Sequence, residues 1–383
     1  MSHSVSTQHL SGRAAARAAL LALAILFVSA SATPVFAQYV RTDLVTNQKG
    51  VGTNAPDSHL VNAWGLTALQ PSPFWISDNG TGFSTLYDGV GNNQGLFVAI
   101  PASPNSPANT PGTPTGTVGN NSVFTNPTNF VFTATGTVQS APALFIFATL
   151  DGTISAWGFN SPVDNAGNSQ ATLVADQAIG NVPAGATYTG LAIATNKKGL
   201  TFLFAADGGP NRDIDVFRSD FSHLGSFSDP AIPKGFTTYG IQAINGQIWV
   251  TFTPLNKAQG GFVDVFDIND DGSLALARHD ALHGPLHSPW GIALAPGDFG
   301  PMSGAILISN NTSRGRINAF NAESGAFLGP LRDANGNPIE IDEVWALQFG
   351  QDGGPNGAHN QLFFTGGPNG YANGVFGVIT FGH

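Results

Sequence analysis

The sequence predicts an all-β fold, a six-bladed β-propeller of four-stranded antiparallel blades whose ring is closed by the N-terminal strand joining the last blade. Three observations predict it. In residues 288–331, four short apolar runs, WGIALAP, GAILISNN, RINAFNA and AFLGPL, are separated by Gly, Pro, Asn or Ser. Runs of about four to eight residues rich in β-branched and aromatic side chains, bounded by turn formers, read as strands. A single four-stranded meander cannot bury both of its faces, so it requires neighbours of the same kind. The second observation is that the pattern recurs. An aromatic residue followed by Gly or Ala and an apolar pair appears as WGL at Trp64, YTGLAI at Tyr188, YGIQAI at Tyr239, WGIALA at Trp290 and VWALQF around Trp345, with a degenerate copy, NFVFTA, from Asn129. The intervals of 65, 59, 51, 51 and 55 residues match propeller repeats of about 40–50 residues once loop insertions are allowed. The third observation is composition. With 48 Gly, 25 Pro and 28 Phe among 383 residues, 10% charged residues and no helical periodicity beyond the N-terminus, the chain suits many short strands and tight turns.

Taken in order, Arg13 and Arg17 precede an apolar run from Ala18 to Val28, and Val35, Phe36 and Ala37 precede Gln38. This predicts a secretory signal peptide over 1–37 and a secreted or periplasmic location. A membrane anchor needs about 20 apolar residues, whereas this run is interrupted by Ser29, Ser31, Thr33 and Pro34. The mature chain, 38–383, then carries 12 basic and 24 acidic residues. A net charge of that sign, without a basic cluster, argues against nucleic acid and anionic membrane surfaces as partners. The absence of Cys excludes thiol nucleophiles and thiolate metal sites.

Residues 39–46, YVRTDLVT, read as a strand without a partner in its own repeat. Blade one follows as LVNAWGLTAL, PFWISDN, FSTLYDG and GLFVAIP, and blade two as NFVFTAT, ALFIFATL, TISAWGF and ATLVADQ. Blade three is TGLAIAT, LTFLFAAD, DIDVFRS and HLGSFSD, and blade four is YGIQAIN, QIWVTFT, GFVDVFDI and LALARHD. Blade five is the 288–331 repeat. Blade six offers only VWALQFG, NQLFFTGG and GVFGVITF, one strand short. The spare N-terminal strand can cover the open edge of GVFGVITF, and one domain of 38–383 results because each blade packs only on its neighbours. Residues 101–121, PASPNSPANTPGTPTGTVGNN, read as a Pro, Thr and Asn-rich loop insertion, either a lid over the channel or a solvated loop.

Repeats of the form WGIAL, ILISNN and GRINAF resemble NHL-type six-bladed propellers. More closely, YVRTDLVTNQKG followed by LVNAWGL, FWISDNGTG, GRINAFN and a terminal GVFGVITF resembles a family of secreted bacterial propeller proteins of unassigned function, several from species that use PEP-CTERM sorting. The chain ends at His383 without a PEP motif, a second apolar segment or a basic tail, so anchoring by that route is not expected. The resemblance implies no catalytic residues.

In a propeller, residues just before each inner strand and just after the second strand converge on one channel mouth. That rule selects His59, Asn62, Trp64, Tyr188, Tyr239, His287, Trp290 and Trp345 as ligand-binding candidates, with Asn79, Asp151, Asn311 and Asp342 around them. Two functions remain open. A polar ring with aromatic walls suits a non-catalytic extracytoplasmic binding module, monomeric, for a protein, glycan or small ligand. Alternatively, Asp78, Asp207, Asn310 and Glu343 hold calcium at the mouth and a neighbouring acid activates water, as in a lactonase or esterase-like hydrolase. Two further motifs mislead. Asp267 to Ser273 opens like a calcium loop, but its twelfth position is Arg278 where Glu is needed. His279, His283 and His287 are spaced four apart, yet Gly284, Pro285 and Pro289 argue against the helix that would gather them.

Overall fold

The computed structural model describes residues 38–163, 168–178, 185–256 and 258–382; the expected signal peptide lies outside them. Six antiparallel sheets form the blades. From the inner strand outward they are Ala63–Thr67, Phe74–Asp78, Phe83–Tyr87 and Asn93–Ala99 in blade one, and Pro114–Gly119, Phe145–Thr149, Thr153–Trp157 and Thr172–Asp176 in blade two. Blade three is Tyr188–Thr195, Thr201–Asp207, Ile214–Phe217 and His223–Phe227, and blade four is Phe236–Ile244, Gln247–Pro254, Phe262–Ile268 and Leu274–Arg278. Blade five is Pro289–Leu294, Ala305–Asn310, Gly315–Asn321 and Phe327–Pro330. Blade six is Val344–Phe349, Leu362–Gly366, Val375–Phe381 and, as its outer strand, Tyr39–Thr46. The only helical elements among the described residues are two short 3₁₀ turns, Asn121–Phe124 and Gly300–Met302, and no helix there is long and apolar enough to cross a membrane.

The inner strands approach one another so closely that nothing larger than the methyl group of one Ala is found at the axial position. Gly65, Gly116, Gly190, Gly240, Gly291 and Ala346 occupy equivalent positions, each at a register shift between first and second strands. A Cβ on Gly240 would overlap the Trp290 carbonyl of the next blade, and one on Gly116 would overlap the Leu191 backbone. Each bulge adds twist and frees backbone groups, and several are met by hydroxyls from the second strand. Ser309 Oγ accepts from the Gly291 N–H (2.7 Å) and donates to the Trp345 carbonyl of blade six (2.6 Å). Thr365 Oγ1 likewise accepts from Ala346 N–H (3.0 Å) and donates to Trp64 O of blade one (2.5 Å). Blades six and one are thus joined by the same bond that joins five and six.

Between blades the sheets pack face to face through aromatics, as where Trp75 stacks on Phe145 (4.0 Å) and Phe74 meets Phe363 (4.4 Å). The outer strands are more exposed than the inner ones, since only one end of each radial sheet reaches solvent.

Blade two departs from expectation. Its inner strand is Pro114–Gly119, inside the span read as a loop insertion, whereas Val131–Thr133 pairs with Ser140–Pro142 in a separate hairpin. The strand PTGTVG is small and polar because the axis leaves no room for more, so its hydrophobic signal is weak. The apolar residues Phe130 and Phe132 instead cover the core shared by blades two and three. The preceding segment is tied down by Asp151, which accepts from Ser103 N–H (2.5 Å) and Thr113 Oγ1 (3.2 Å).

The N-terminal strand pairs antiparallel with Val375–Phe381 from Tyr39↔Phe381 to Thr46↔Val375. Tyr39 is buried, and its hydroxyl donates to Phe299 O at 2.7 Å. Removing residues 38–46 should therefore lower stability by about 3 kcal/mol or more through lost pairing and packing, read as a fall in melting temperature. Gly240→Ala should cost a similar amount. Gly235→Ala, where a Cβ meets nothing within 4 Å, should stay within about 0.5 kcal/mol of the parent, which separates the axial constraint from a general effect of losing glycine.

Candidate functional site

The bulges that exclude side chains at the axis also aim their neighbours. Trp64, Trp290 and Trp345 each precede the axial Gly or Ala and gather at one end of the channel. Trp64 and Trp345 stack with centroids 3.8 Å apart and planes at 19°, while Trp290 stands edge-on to both, at 6.3 and 5.7 Å. Tyr239 and Tyr371 each lie 5.7 Å from Trp345. Trp345 Nε1–H donates to Asn62 Oδ1 (3.0 Å) and Trp290 Nε1–H to Thr189 O (2.9 Å), but Trp64 Nε1–H is buried without a protein acceptor.

Tyr239 and Tyr371 separate this buried stack from a cavity of about 320 Å³, which they line together with His287, Ser288, Asn311 and Thr253. Tyr371 comes from the loop after the second strand of blade six and holds a left-handed backbone, φ 69°, which is costly for a bulky residue. Three bonds hold it there: its N–H donates to Gly367 O (2.8 Å) and Glu343 Oε2 (3.0 Å), and its hydroxyl to Asn311 Oδ1 (2.8 Å). Burial, with the Glu343 and Asp342 carboxylates nearby, pushes the Tyr371 phenol up to about 12. Burial also raises Tyr239 well above its ordinary value, reinforced by Tyr371 and Glu343. Both phenols are therefore neutral donors at physiological pH.

The opposite end of the channel is different. The last residues of the inner strands enclose about 420 Å³ lined by amides such as Gln242, Asn245, Gln348 and Gln351. Between the two ends, at the axial glycines, the space narrows to about 20 Å³, room for about one water.

Of the expected binding residues, Tyr239 and His287 line the cavity, while Trp64, Trp290 and Trp345, with Asn62, form a buried cluster behind Tyr239 and Tyr371 and do not line it. Asn79 supports Asn62, donating to Pro114 O (3.2 Å) and accepting from Asn62 Nδ2 (3.0 Å). Tyr188 and His59 stand elsewhere. Tyr188 falls one residue earlier than the other aromatics relative to the axial glycine, and a one-residue shift in a strand turns the side chain to the other face. It is buried, with its hydroxyl on Asp215 Oδ2 (2.7 Å). His59 stacks on Phe97 of the outer strand of blade one (4.2 Å) beside Asp57 (3.1 Å).

The four candidate calcium ligands are dispersed over separate surroundings. Glu343 holds the Tyr371 N–H, and Asn310 accepts from His287 N–H (2.8 Å) beside a second cleft that contains Arg314, Arg316 and Arg332. Asp342 caps Asn369 N–H (2.9 Å). Asp207 joins Asp213 and Asp215 of its own blade in a group of acids within metal-ligand distance, one of two such groups among the described residues; neither contains Asp78 or Glu343. Sequence reasoning missed Asp213, Asp215 and Tyr371. The first two follow a turn-rich stretch, GGPNR, and the third sits in PNGYANG; none has a repeat signature.

Asp78 is fully buried and neither carboxyl oxygen makes a well-formed hydrogen bond, Thr85 being the polar neighbour that partly offsets its burial. Burial holds its carboxyl well above the ordinary range, with Asp57 adding to the effect. Unfolded, the same group titrates near pH 3.9. The folded chain therefore binds more protons between that pH and the raised folded value, and stability declines as pH rises through this interval. Asp78→Asn should shrink the fall in melting temperature between about pH 4 and pH 7, and an unchanged fall would show that another group dominates.

No family model matches the chain. An uncharacterised protein of Acanthamoeba polyphaga mimivirus is 28% identical over 354 residues, 88% of this chain and 78% of the relative. A second from the same virus is 28% identical over 321 residues, 79% and 77% of the two chains. Among solved structures, a gluconolactonase from Xanthomonas campestris superposes with a TM-score of 0.50 at 14% identity, over 85% of this chain and 87% of that one. At that identity the likeness is one of fold. The sequence relatives are viral, and the resemblance to secreted bacterial propellers is carried by the motifs alone. The chain is a six-bladed β-propeller with uncharacterised viral relatives.

Proposed function

We propose that this protein is an exported, non-catalytic binding module that takes a small hydroxylated ligand of glycan type in the cup lined by Tyr239, Tyr371, His287, Ser288 and Asn311. The observation that carries the reading is Tyr371. A bulky residue is held in a strained backbone conformation by three hydrogen bonds, and such strain, on the order of 1–3 kcal/mol, collects where binding surfaces are pre-organised. The cup has the composition that sugars require, flat aromatic faces for the C–H side of a pyranose and neutral donors and acceptors at its edge. His287, Ser288 and Asn311 supply that edge. Its volume of about 320 Å³ lies at the small end of ligand pockets, roughly 300–1,000 Å³, which suits one or two sugar rings. Export rests on the signal-like residues 1–37.

The tryptophan cluster provides the readout, because Trp345 packs 5.7 Å from both Tyr239 and Tyr371 of the cup. Titrating the mature protein with a panel of mono- and oligosaccharides should change tryptophan emission for at least one of them. Tyr371→Ala should weaken that ligand by about tenfold, roughly 1.4 kcal/mol, whereas Tyr371→Phe keeps the ring and should lose less. If no saccharide alters the emission, or if Tyr371→Ala binds as tightly as the parent, the glycan reading fails.

A further inference from the structure

A second cluster of ligating groups lies within blade four, and none of its members lines either end of the channel. Asp264 stands in the third strand between Val263 and Val265, all three fully buried. Asp229 comes from the segment entering the blade and His279 from the segment leaving its outer strand. His279 Nδ1 is 2.6 Å from Asp229 Oδ2 and 3.3 Å from Asp264 Oδ1. One oxygen of each carboxylate is fixed by backbone: Ala231 N–H donates to Asp229 Oδ1 (2.8 Å) and Asp280 N–H to Asp264 Oδ1 (2.9 Å). Asp264 Oδ2 is buried and meets no hydrogen-bond donor, with the Asp229 carboxyl as its neighbour.

We propose that Asp229, Asp264 and His279 form a site for a divalent ion of the zinc class. The geometry motivates it, because one imidazole nitrogen and an oxygen from each of two buried carboxyls converge within ligand distance of one another, and the innermost carboxyl keeps an oxygen that no donor of the protein meets. The adjacent Arg278 does not help, since its guanidinium lies over the Trp249 ring at 4.8 Å and donates to Ala322 O. An imidazole beside two carboxylates selects zinc, manganese or cobalt over calcium, which takes oxygen ligands. Ligand bonds of about 2.0–2.2 Å place neighbouring donor atoms about 3.3–3.6 Å apart in a tetrahedron. The 3.3 Å separation already fits, and the 2.6 Å one must open by about 0.7 Å. The backbone donors orient the carboxylates as outer-shell partners do. The His279 side chain, 39% exposed, gives an entry path and leaves a coordination position open to solvent.

The test is equilibrium dialysis of chelator-treated mature protein against Zn²⁺, with Co²⁺ absorption as a second readout. The parent should bind zinc at this site, Asp264→Asn and His279→Ala should each weaken that binding at least tenfold, and Asp271→Asn, in an exposed turn, should not. Circular dichroism without metal establishes that each variant folds; if Asp264→Asn does not, His279→Ala, at a half-exposed position, decides the outcome. Absence of zinc binding by the parent would overturn the proposal in favour of a proton shared by the carboxyls. Equal binding by the parent and a folded variant would overturn it in favour of ligation elsewhere.

Discussion

Six inner strands converge on one axis, and the closeness of their approach sets most of what surrounds them. At Gly65, Gly116, Gly240 and Gly291 even a Cβ would overlap the backbone of the next blade, and the position is Gly in five blades with Ala346 in the sixth. The bulge at each of these residues throws its neighbour toward the channel end, and where that neighbour is Trp64, Trp290, Trp345 or Tyr239 the result is an aromatic stack. The same narrowing divides the channel into an aromatic end and an amide-lined end, so the two openings are chemically independent surfaces.

Hydroxyl groups carry the association from one blade to the next. Ser309 and Thr365 each bind the axial N–H of their own blade and the backbone carbonyl of the following one, while Thr115 reaches Tyr188 O at 2.7 Å. These bonds are short and buried, and their role differs from that of the strand ladders: the ladders hold a blade together and the hydroxyls hold blades to each other. Each such bond contributes about 1 kcal/mol net, but leaving the carbonyl unmatched in a dry interface would cost about 1–3 kcal/mol.

Acidic side chains punctuate this apolar interior in an ordered way. In blades one and three a buried tyrosine donates to a carboxylate, Tyr87 to Asp57 (2.8 Å) and Tyr188 to Asp215 (2.7 Å), so that a large ring is buried without orphaning its hydroxyl. Asp78, Asp213 and Asp264 lack that full complement: each has at least one buried oxygen without a partner, and burial raises all three, Asp213 and Asp264 to about 7. They mark where burial favours the neutral carboxyl over the carboxylate.

The periodic part of the protein is written in its local sequence. The blade count, nearly all strands and the pairing of the N-terminal segment with GVFGVITF were legible because strand propensity and turn residues act over a few neighbours, and the repeat multiplies that local signal. The inner strand of blade two was not, since PTGTVG is shaped by contact with Leu191 of the next blade and carries little hydrophobicity of its own. Tyr188 resembled the channel aromatics in composition, but its offset of one residue set its face, and sheet register is a property of paired strands that no single strand reveals. Long-range packing placed Tyr371 beside Trp345 and brought Asp229, Asp264 and His279 together. Their spacing along the chain obeys no period, and their proximity is created by loops whose paths depend on the packing of whole blades.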